Sequence, residues 1–597
     1  MSFLRALFAG FLGTLLALLF AGFFFILLIV ALIPRDSEPS VATGTVLVLD
    51  PGMIAEGPPS DPFAQAFGPS ATALPRLVDA IDRAAGDSRI SALWIQPVGM
   101  SASWPQIEEL RRAVLRFKES GKPVYASSGS AGFTESAYYL AVAADTVASP
   151  PEASFEFDGF AAEVTFFAGM LEQIGVQPEV IRAGDYKAAV EPLVRRDLSE
   201  ENAQQLRELV QGQDAVFRQA VASGRNLYAA DLTALMRSGD VFSARAAHEA
   251  GLIDALMYND ELESWLRRYT DQEEADELRT ISISEYARVS PRSAGETPGN
   301  RRNRVVVVTA EGVIMDGDSG QGGVVGSETF RELMEEAVRD DRTRAIVVRV
   351  DSPGGSASAS DAMWRAVSRA RESVPVVVSM GGVAASGGYY IAAAADTVFA
   401  DPLTITGSIG VISVLVDASD LLEDRLGITT DTVSTSPFAT LFSIARPLSA
   451  PERAVMERET ASIYARFVDV VAESRNMTTA AVEEIAGGRV YTGQRAFELG
   501  LVDVIGGLDD AVRTAAHMAG FEPGDYTVRR LPERRPFIEA ISELINTDAS
   551  MWSGLFGRRS AVPAPARDIE RHIKSMQYIA SLHGVPQMRL PFDYVIR

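Results

Sequence analysis

Ser386 lies in Ala385-Ser386-Gly387-Gly388, a serine on a glycine-rich turn that leads into an apolar helical stretch. A serine hydroxyl attacks a carbonyl only if a base takes its proton, and histidine is the usual base. The chain has four histidines. His248 occupies a position that an internal repeat fills with Phe497, His517 falls on a helical stretch, and His572 and His583 lie far towards the C-terminus. None is part of a motif. A lysine can do the same work when its amine is neutral, and burial among apolar groups favours the neutral form. Lys187, in Gly184-Asp185-Tyr186-Lys187-Ala188-Ala189-Val190-Glu191-Pro192, has such neighbours. Glu191 would hold the amine charged, so it is expected to point away or to pair with Arg182, Arg195 or Arg196.

A duplication ties these two residues together. Tyr138–Val147 and Tyr389–Val398 are identical at eight of ten positions. At the same offset Glu135 stands where the second copy has Ser386, and one residue further on in register Ala439 stands where the first copy has Lys187. One half has kept a serine without a lysine, the other a lysine without a serine. A second match, Val241–Asp254 with Val490–Asp503, supports the duplication.

Acyl chemistry also needs two N–H groups for the oxyanion. Gly387 is one candidate. Gly355, or its neighbour Gly354, is the other, in the turn Val350-Asp351-Ser352-Pro353-Gly354-Gly355 after an apolar run. The first copy replaces that turn with Gln96-Pro97-Val98-Gly99-Met100. Ser408, in Thr406-Gly407-Ser408-Ile409-Gly410, can hydrogen-bond the lysine amine and orient it; the first copy has Phe155-Glu156-Phe157-Asp158-Gly159 there.

The elements that must hold these residues alternate. Apolar runs short enough for buried strands occur at Gly44–Asp50, Ile90–Ile95 and Pro123–Ala126, and again at Arg304–Ala310, Ala345–Val350 and Pro375–Ser379. Amphipathic helical stretches at Ile107–Glu119 and Phe330–Arg339 separate them. Such alternation predicts an α/β fold with a largely parallel sheet in each copy. Ser290–Arg302, rich in Pro, Gly, Ser, Asn and Arg, reads as a linker.

No charged residue occurs from Ala6 to Pro34, a span longer than the roughly 20 residues that cross a bilayer. It is also longer than the apolar part of a cleaved signal peptide, so an uncleaved anchor is expected. Arg5 favours a cytoplasmic N-terminus and an extracytoplasmic body. The reading is therefore a cytoplasmic N-terminus (1–5), a transmembrane anchor (6–34) and a spacer (35–44). There follow a repeat with the lysine (45–260), a connecting segment (261–303), a repeat with the serine (304–520) and an extension (521–597). Residues 521–597 have no evident counterpart in the first copy, and Met551–Phe556 are expected to pack on the body. A net charge of −24 argues against nucleic acid as a partner. The chain has no cysteine, so disulfides, thiolate metal sites and a thiol nucleophile are ruled out.

Asp351–Gly355, Ala385–Tyr389, Thr406–Gly410 and Tyr186–Pro192, with the anchor and both copies, resemble the signal peptide peptidase A family in its long, duplicated bacterial form. The resemblance implies two tandem α/β repeats of the caseinolytic protease and crotonase type, preceded by one transmembrane helix. It implies a Ser386–Lys187 dyad with no cofactor or metal, acting on cleaved signal peptides outside the cytoplasmic membrane. It also implies four chains in a bowl-shaped ring. Two rivals are an acyl-CoA enzyme of the crotonase kind and a non-catalytic membrane scaffold. The first needs no Ser–Lys pair, and the complementary decay of the copies argues against the second.

Overall fold

Val305–Val308 are buried without a break, as is the run Ala345–Val348, and only a parallel sheet covered on both faces accommodates such stretches. A computed structural model describes residues 38–58, 71–273, 277–297, 299–319, 323–533 and 587–589, with Gly13, Phe20 and Phe24. The anchor expected at 6–34 and the Met551–Phe556 segment lie outside the described residues. Among the described residues no helix is long and apolar enough to cross a membrane.

Each repeat builds one sheet. In the first, six parallel strands run in the order Ala255–Leu256, Thr146–Ser149, Val124–Ser127, Ile90–Ile95, Thr45–Leu49, Thr280–Ser282. The second repeats this plan with Thr397–Ala400, Val376–Ala385, Thr343–Ser352, Arg304–Glu311 and Thr527–Leu531 as parallel neighbours. Helices pack on the sheets by one face. Ser327–Arg339, for example, buries Phe330, Met334 and Ala337, spaced at helical period. The edge strand Thr527–Leu531 takes the place beside Arg304–Glu311 that Thr280–Ser282 takes beside Thr45–Leu49. The start of the 521–597 extension thus has a structural counterpart in the first copy, hidden because a short edge strand carries little sequence pattern.

A third sheet belongs to both repeats. Its order is Val324–Gly326, Val313–Met315, Gly354–Ser356, Gln587–Arg589, Val411–Asp417, Gln177–Ala183. Gln177–Ala183 of the first repeat runs antiparallel to Val411–Asp417 of the second, from Gln177 opposite Asp417 to Ala183 opposite Val411.

A buried ionic seam reinforces this contact. Arg349 is fully buried in the second repeat and meets two carboxylates of the first, Glu56 at 2.8 Å and Glu109 at 2.7 Å. Its guanidinium also donates to Ser379 Oγ at 2.8 Å and to the Met380 carbonyl at 3.0 Å. Removing one member of a buried pair strands the other charge, which typically costs about 3–5 kcal/mol. Arg349→Met is therefore expected to lower the unfolding free energy by that order, and the denaturant midpoint with it. Equilibrium unfolding of the variant beside wild type checks it, and an unchanged midpoint would mean that the seam does not hold the repeats.

Candidate active site

The Val376–Ala385 strand ends at Ser386, which caps the helix Gly387–Ala392. Ser386 has φ 55°, a left-handed conformation that costs a non-glycine residue about 1–3 kcal/mol and is concentrated at functional sites. The turn is held because the Ser386 N–H donates to the Gly407 carbonyl at 2.8 Å. Ser408, next along that neighbouring strand, also has a positive φ of 54°, and its N–H donates to the Arg489 carbonyl at 2.7 Å.

The shared sheet brings in the lysine. Ala183 pairs with Val411, so the chain leaves the first-repeat strand beside the Ser408–Gly410 turn and delivers Lys187 there. Its Nζ lies 2.7 Å from Ser386 Oγ, 2.9 Å from Ser408 Oγ and 3.0 Å from the Ser408 carbonyl. All three residues are fully buried, and both repeats of a single chain contribute. Burial holds the Lys187 amine well below its ordinary pKa. Ala189, Val190 and Leu193 beyond it pack on Ile412 and Val414, which seals that side with apolar atoms.

Glu191 turns away from the amine, as expected, but not to an arginine. Its Oε2 accepts from the Asn202 side chain at 2.9 Å and from the Ser199 N–H at 3.3 Å. Arg195 and Arg196 pair instead with Asp197 and Glu172. Asn202 wins because Glu191 is buried, where a neutral amide and an N–H can follow it more readily than two exposed cations.

Two positioning groups carried no motif. The Tyr186 N–H donates to the Gly487 carbonyl at 2.9 Å. At Gly488 (φ 84°) a Cβ would stand 2.6 Å from Lys187 Cβ, so the backbone there must be bare for the lysine to seat. Gln205, fully buried, donates to the Tyr186 carbonyl at 3.4 Å and accepts from the Val490 N–H at 3.2 Å, joining the lysine loop to the second repeat. The only sequence cue was the doublet Gly487-Gly488.

Of the three glycines singled out for an oxyanion hole, Gly354 and Gly387 converge. A Cβ on Gly354 would lie 2.7 Å from the Gly387 nitrogen. Gly355 abuts the Ile314 carbonyl, 2.0 Å from where its Cβ would be. The Gly354 N–H donates to Ser352 Oγ at 3.1 Å. Gly354–Ser356 and Val411–Asp417 face each other across the width of one strand, and Gln587–Arg589 fills that width, antiparallel to both. The strand that borders the slot is only Gly354–Ser356, because Ala357 already begins a helix.

At the serine's position in the first repeat, Glu135 accepts from the Asp158 and Gly159 N–H groups at 3.2 and 3.3 Å. Burial, with Asp158 close by, pushes its carboxyl up to about 7. Of the histidines, His248 and His517 are exposed on helices, and His572 and His583 lie outside the described residues.

A buried serine with a buried amine on its hydroxyl, at the seam of two like α/β repeats, describes a serine hydrolase assembled by duplication. The chain belongs to peptidase family S49, whose model matches residues 116–273 and 368–522, and it is a serine protease of the duplicated signal peptide peptidase A type. A Clp protease model matches residues 327–404, the part that contains Ser386. The chain is 34% identical over 484 residues to the chloroplastic serine protease SPPA of Arabidopsis thaliana, covering 80% of this chain and 70% of that one. It is 33% identical over 508 residues to Protease 4 of Salmonella typhi, covering 81% and 80%. With Protease 4 of Haemophilus influenzae the identity is 29% over 514 residues, covering 83% and 82%.

Proposed function

We propose that this protease is a membrane-anchored endopeptidase working through a Ser386–Lys187 dyad and degrading cleaved signal peptides and other apolar peptides outside the cytoplasmic membrane. The observation that carries the dyad is the 2.7 Å contact between a buried lysine amine and the serine hydroxyl. Neutral Lys187 takes the Ser386 proton as Oγ adds to the peptide carbonyl, and Ser408 holds the amine in line. The Gly387 N–H receives the oxyanion together with that of Gly354, which exchanges the neutral Ser352 acceptor for an anionic one. Gly355 continues the strand beside them. Lys187 then protonates the leaving amine, and water, activated by the same lysine, releases the acyl group.

The substrate enters extended, pairing with Gly354–Ser356 on one side and Val411–Asp417 on the other. Backbone hydrogen bonds supply affinity for many sequences, as a scavenger of varied apolar peptides requires. Residues 6–34 anchor the chain in lipid, and four chains close into a ring with each dyad drawn from one chain.

A fluorophosphonate probe tests the nucleophile: it should label Ser386 in wild type and nothing in Ser386→Ala. Equal labelling of the two would reject Ser386. The pH profile tests the base. Burial disfavours the ammonium, and only the free amine accepts a proton, so single-turnover acylation should rise with pH. Its midpoint should fall below the ~10.4 of a free lysine. A rate that is flat from pH 6 to pH 10 with acylation limiting would exclude Lys187 as base.

A further inference from the structure

Gly487, Gly488 and Arg489 are consecutive residues whose backbones serve both arms of the site. The Gly487 carbonyl accepts from the Tyr186 N–H at 2.9 Å, and the Gly488 N–H donates to the Ile409 carbonyl at 2.8 Å. The Arg489 carbonyl accepts from the Ser408 N–H at 2.7 Å. The two glycines have no side chain to add to this. Arg489 has one, and neither the dyad nor the oxyanion pair uses it.

The Arg489 guanidinium carbon lies over two aromatic rings, 5.0 Å from the centre of Tyr186 and 5.6 Å from that of Tyr491. Tyr186 immediately precedes Lys187. Tyr491 belongs to the other arm. Its strand, Val490–Thr492, runs antiparallel to Ile405–Gly407, and a Cβ on Gly407 would stand 2.9 Å from its ring. Gly407 in turn holds the Ser386 N–H and precedes Ser408. The guanidinium thus joins the ring beside the base to the ring beside the serine. Its own place is set by the helix Glu200–Arg225. Arg489 donates to Glu208 Oε1 at 2.6 Å, the Gln204 amide donates to the same oxygen at 3.2 Å, and the Tyr186 hydroxyl donates to Gln204 Oε1 at 3.3 Å. The circuit closes on Tyr186, whose ring cannot swing without leaving the cation or breaking a polar contact. A planar cation suits this place because its face stacks on rings while its edge donates to a carboxylate.

We propose that Arg489 is a positioning residue for proton transfer: by tying Tyr186 to Tyr491 it fixes the Lys187 amine against the serine hydroxyl, without touching substrate. The inference rests on the dyad reading above. Lys187 stands on a loop between the strand Gln177–Ala183 and the short helix Ala188–Val190, and its own N–H is spent on the Gly184 carbonyl of the same loop at 3.3 Å. The aim of its side chain therefore depends on what holds Tyr186. If the tie is cut, the loop keeps its backbone bond to Gly487 but gains room to tilt, and the amine meets water that the closed site excludes.

Two measurements on the full chain test this: steady-state hydrolysis of a quenched-fluorescent leucine- and alanine-rich peptide, and the rate of fluorophosphonate labelling from pH 6 to pH 10. Arg489→Gln should lower kcat at least about tenfold with KM within about twofold, a displacement smaller than the 1 Å that costs on the order of 10²-fold. Its labelling midpoint should move up by about half a pH unit or more, because an amine that regains water regains its ammonium. Tyr186→Leu should show both effects, and Tyr186→Phe, which keeps the ring under the cation, should recover kcat to within about threefold of wild type. The double variant Arg489→Gln/Tyr186→Leu should lose little more than either alone, as parts of one device do. Wild-type kcat in Arg489→Gln would overturn the inference. So would a kcat loss with an unmoved pH midpoint, which a merely structural part would give, or losses that multiply in the double variant. Should Arg489→Gln not fold, Tyr186→Leu and Tyr186→Phe decide by the same two readouts. Wild-type rate in Lys187→Ala would instead overturn the dyad reading, and this inference with it.

Discussion

Lys187→Ala is expected to reduce peptide hydrolysis about 10⁴-fold or more, and Ser386→Ala to reduce it comparably, with the double variant little worse than either. In the proposed dyad the two side chains, 2.7 Å apart, act as one unit, so removing either would remove the reaction they share. The fold should survive both changes. Alanine in place of Lys187 even deletes a buried amine whose charged form the site disfavours. Each variant is to be assayed by kcat with a quenched-fluorescent peptide and by unfolding midpoint. More than a few per cent of wild-type rate in Lys187→Ala at neutral pH would remove lysine from the mechanism. Ser408→Ala should be milder, because the Ser408 carbonyl still accepts from Lys187 at 3.0 Å.

The second large effect is expected at a residue that touches no substrate. Gly488→Val places a Cβ 2.6 Å from Lys187 Cβ and requires a branched residue at φ 84°. The lysine loop must retreat, and misplacing a reacting group by about 1 Å can cost on the order of 10²-fold in rate. The loss should fall on kcat, with KM nearly unchanged, because the slot between Gly354–Ser356 and Val411–Asp417 is untouched. Fluorophosphonate labelling should slow in step. A variant with wild-type kcat would show that the lysine seats without Gly488.

Much of this site could be read from the chain alone. Ser386, Lys187 and Ser408 stand out in the sequence because each survives in only one copy of the duplication, and the structure brings all three together. The strands at 45–49, 90–95 and 304–311 were legible because buried parallel strands are uniformly apolar. The pairing of Gln177–Ala183 with Val411–Asp417 was not, because antiparallel partners this distant in sequence are chosen by how the repeats dock. On charge alone Glu191 either points away or pairs with a nearby arginine; it points away, and its burial selects Asn202 as partner. Gln587-Met588-Arg589 has no strand pattern of its own; two unpaired edges impose the conformation on it.

The cross-repeat strand pair also fixes when the enzyme becomes dangerous to its surroundings. During synthesis, at about 5–20 residues per second, Lys187 leaves the ribosome roughly 10–40 s before Ser386 does. Through that interval the nascent chain carries a lysine with nothing to activate. On the proposed dyad, the serine, once made, remains without its base until Val411–Asp417 finds Gln177–Ala183. Activity is thereby made conditional on a finished, correctly docked chain, and a truncated or half-folded copy carries no working protease into the cell.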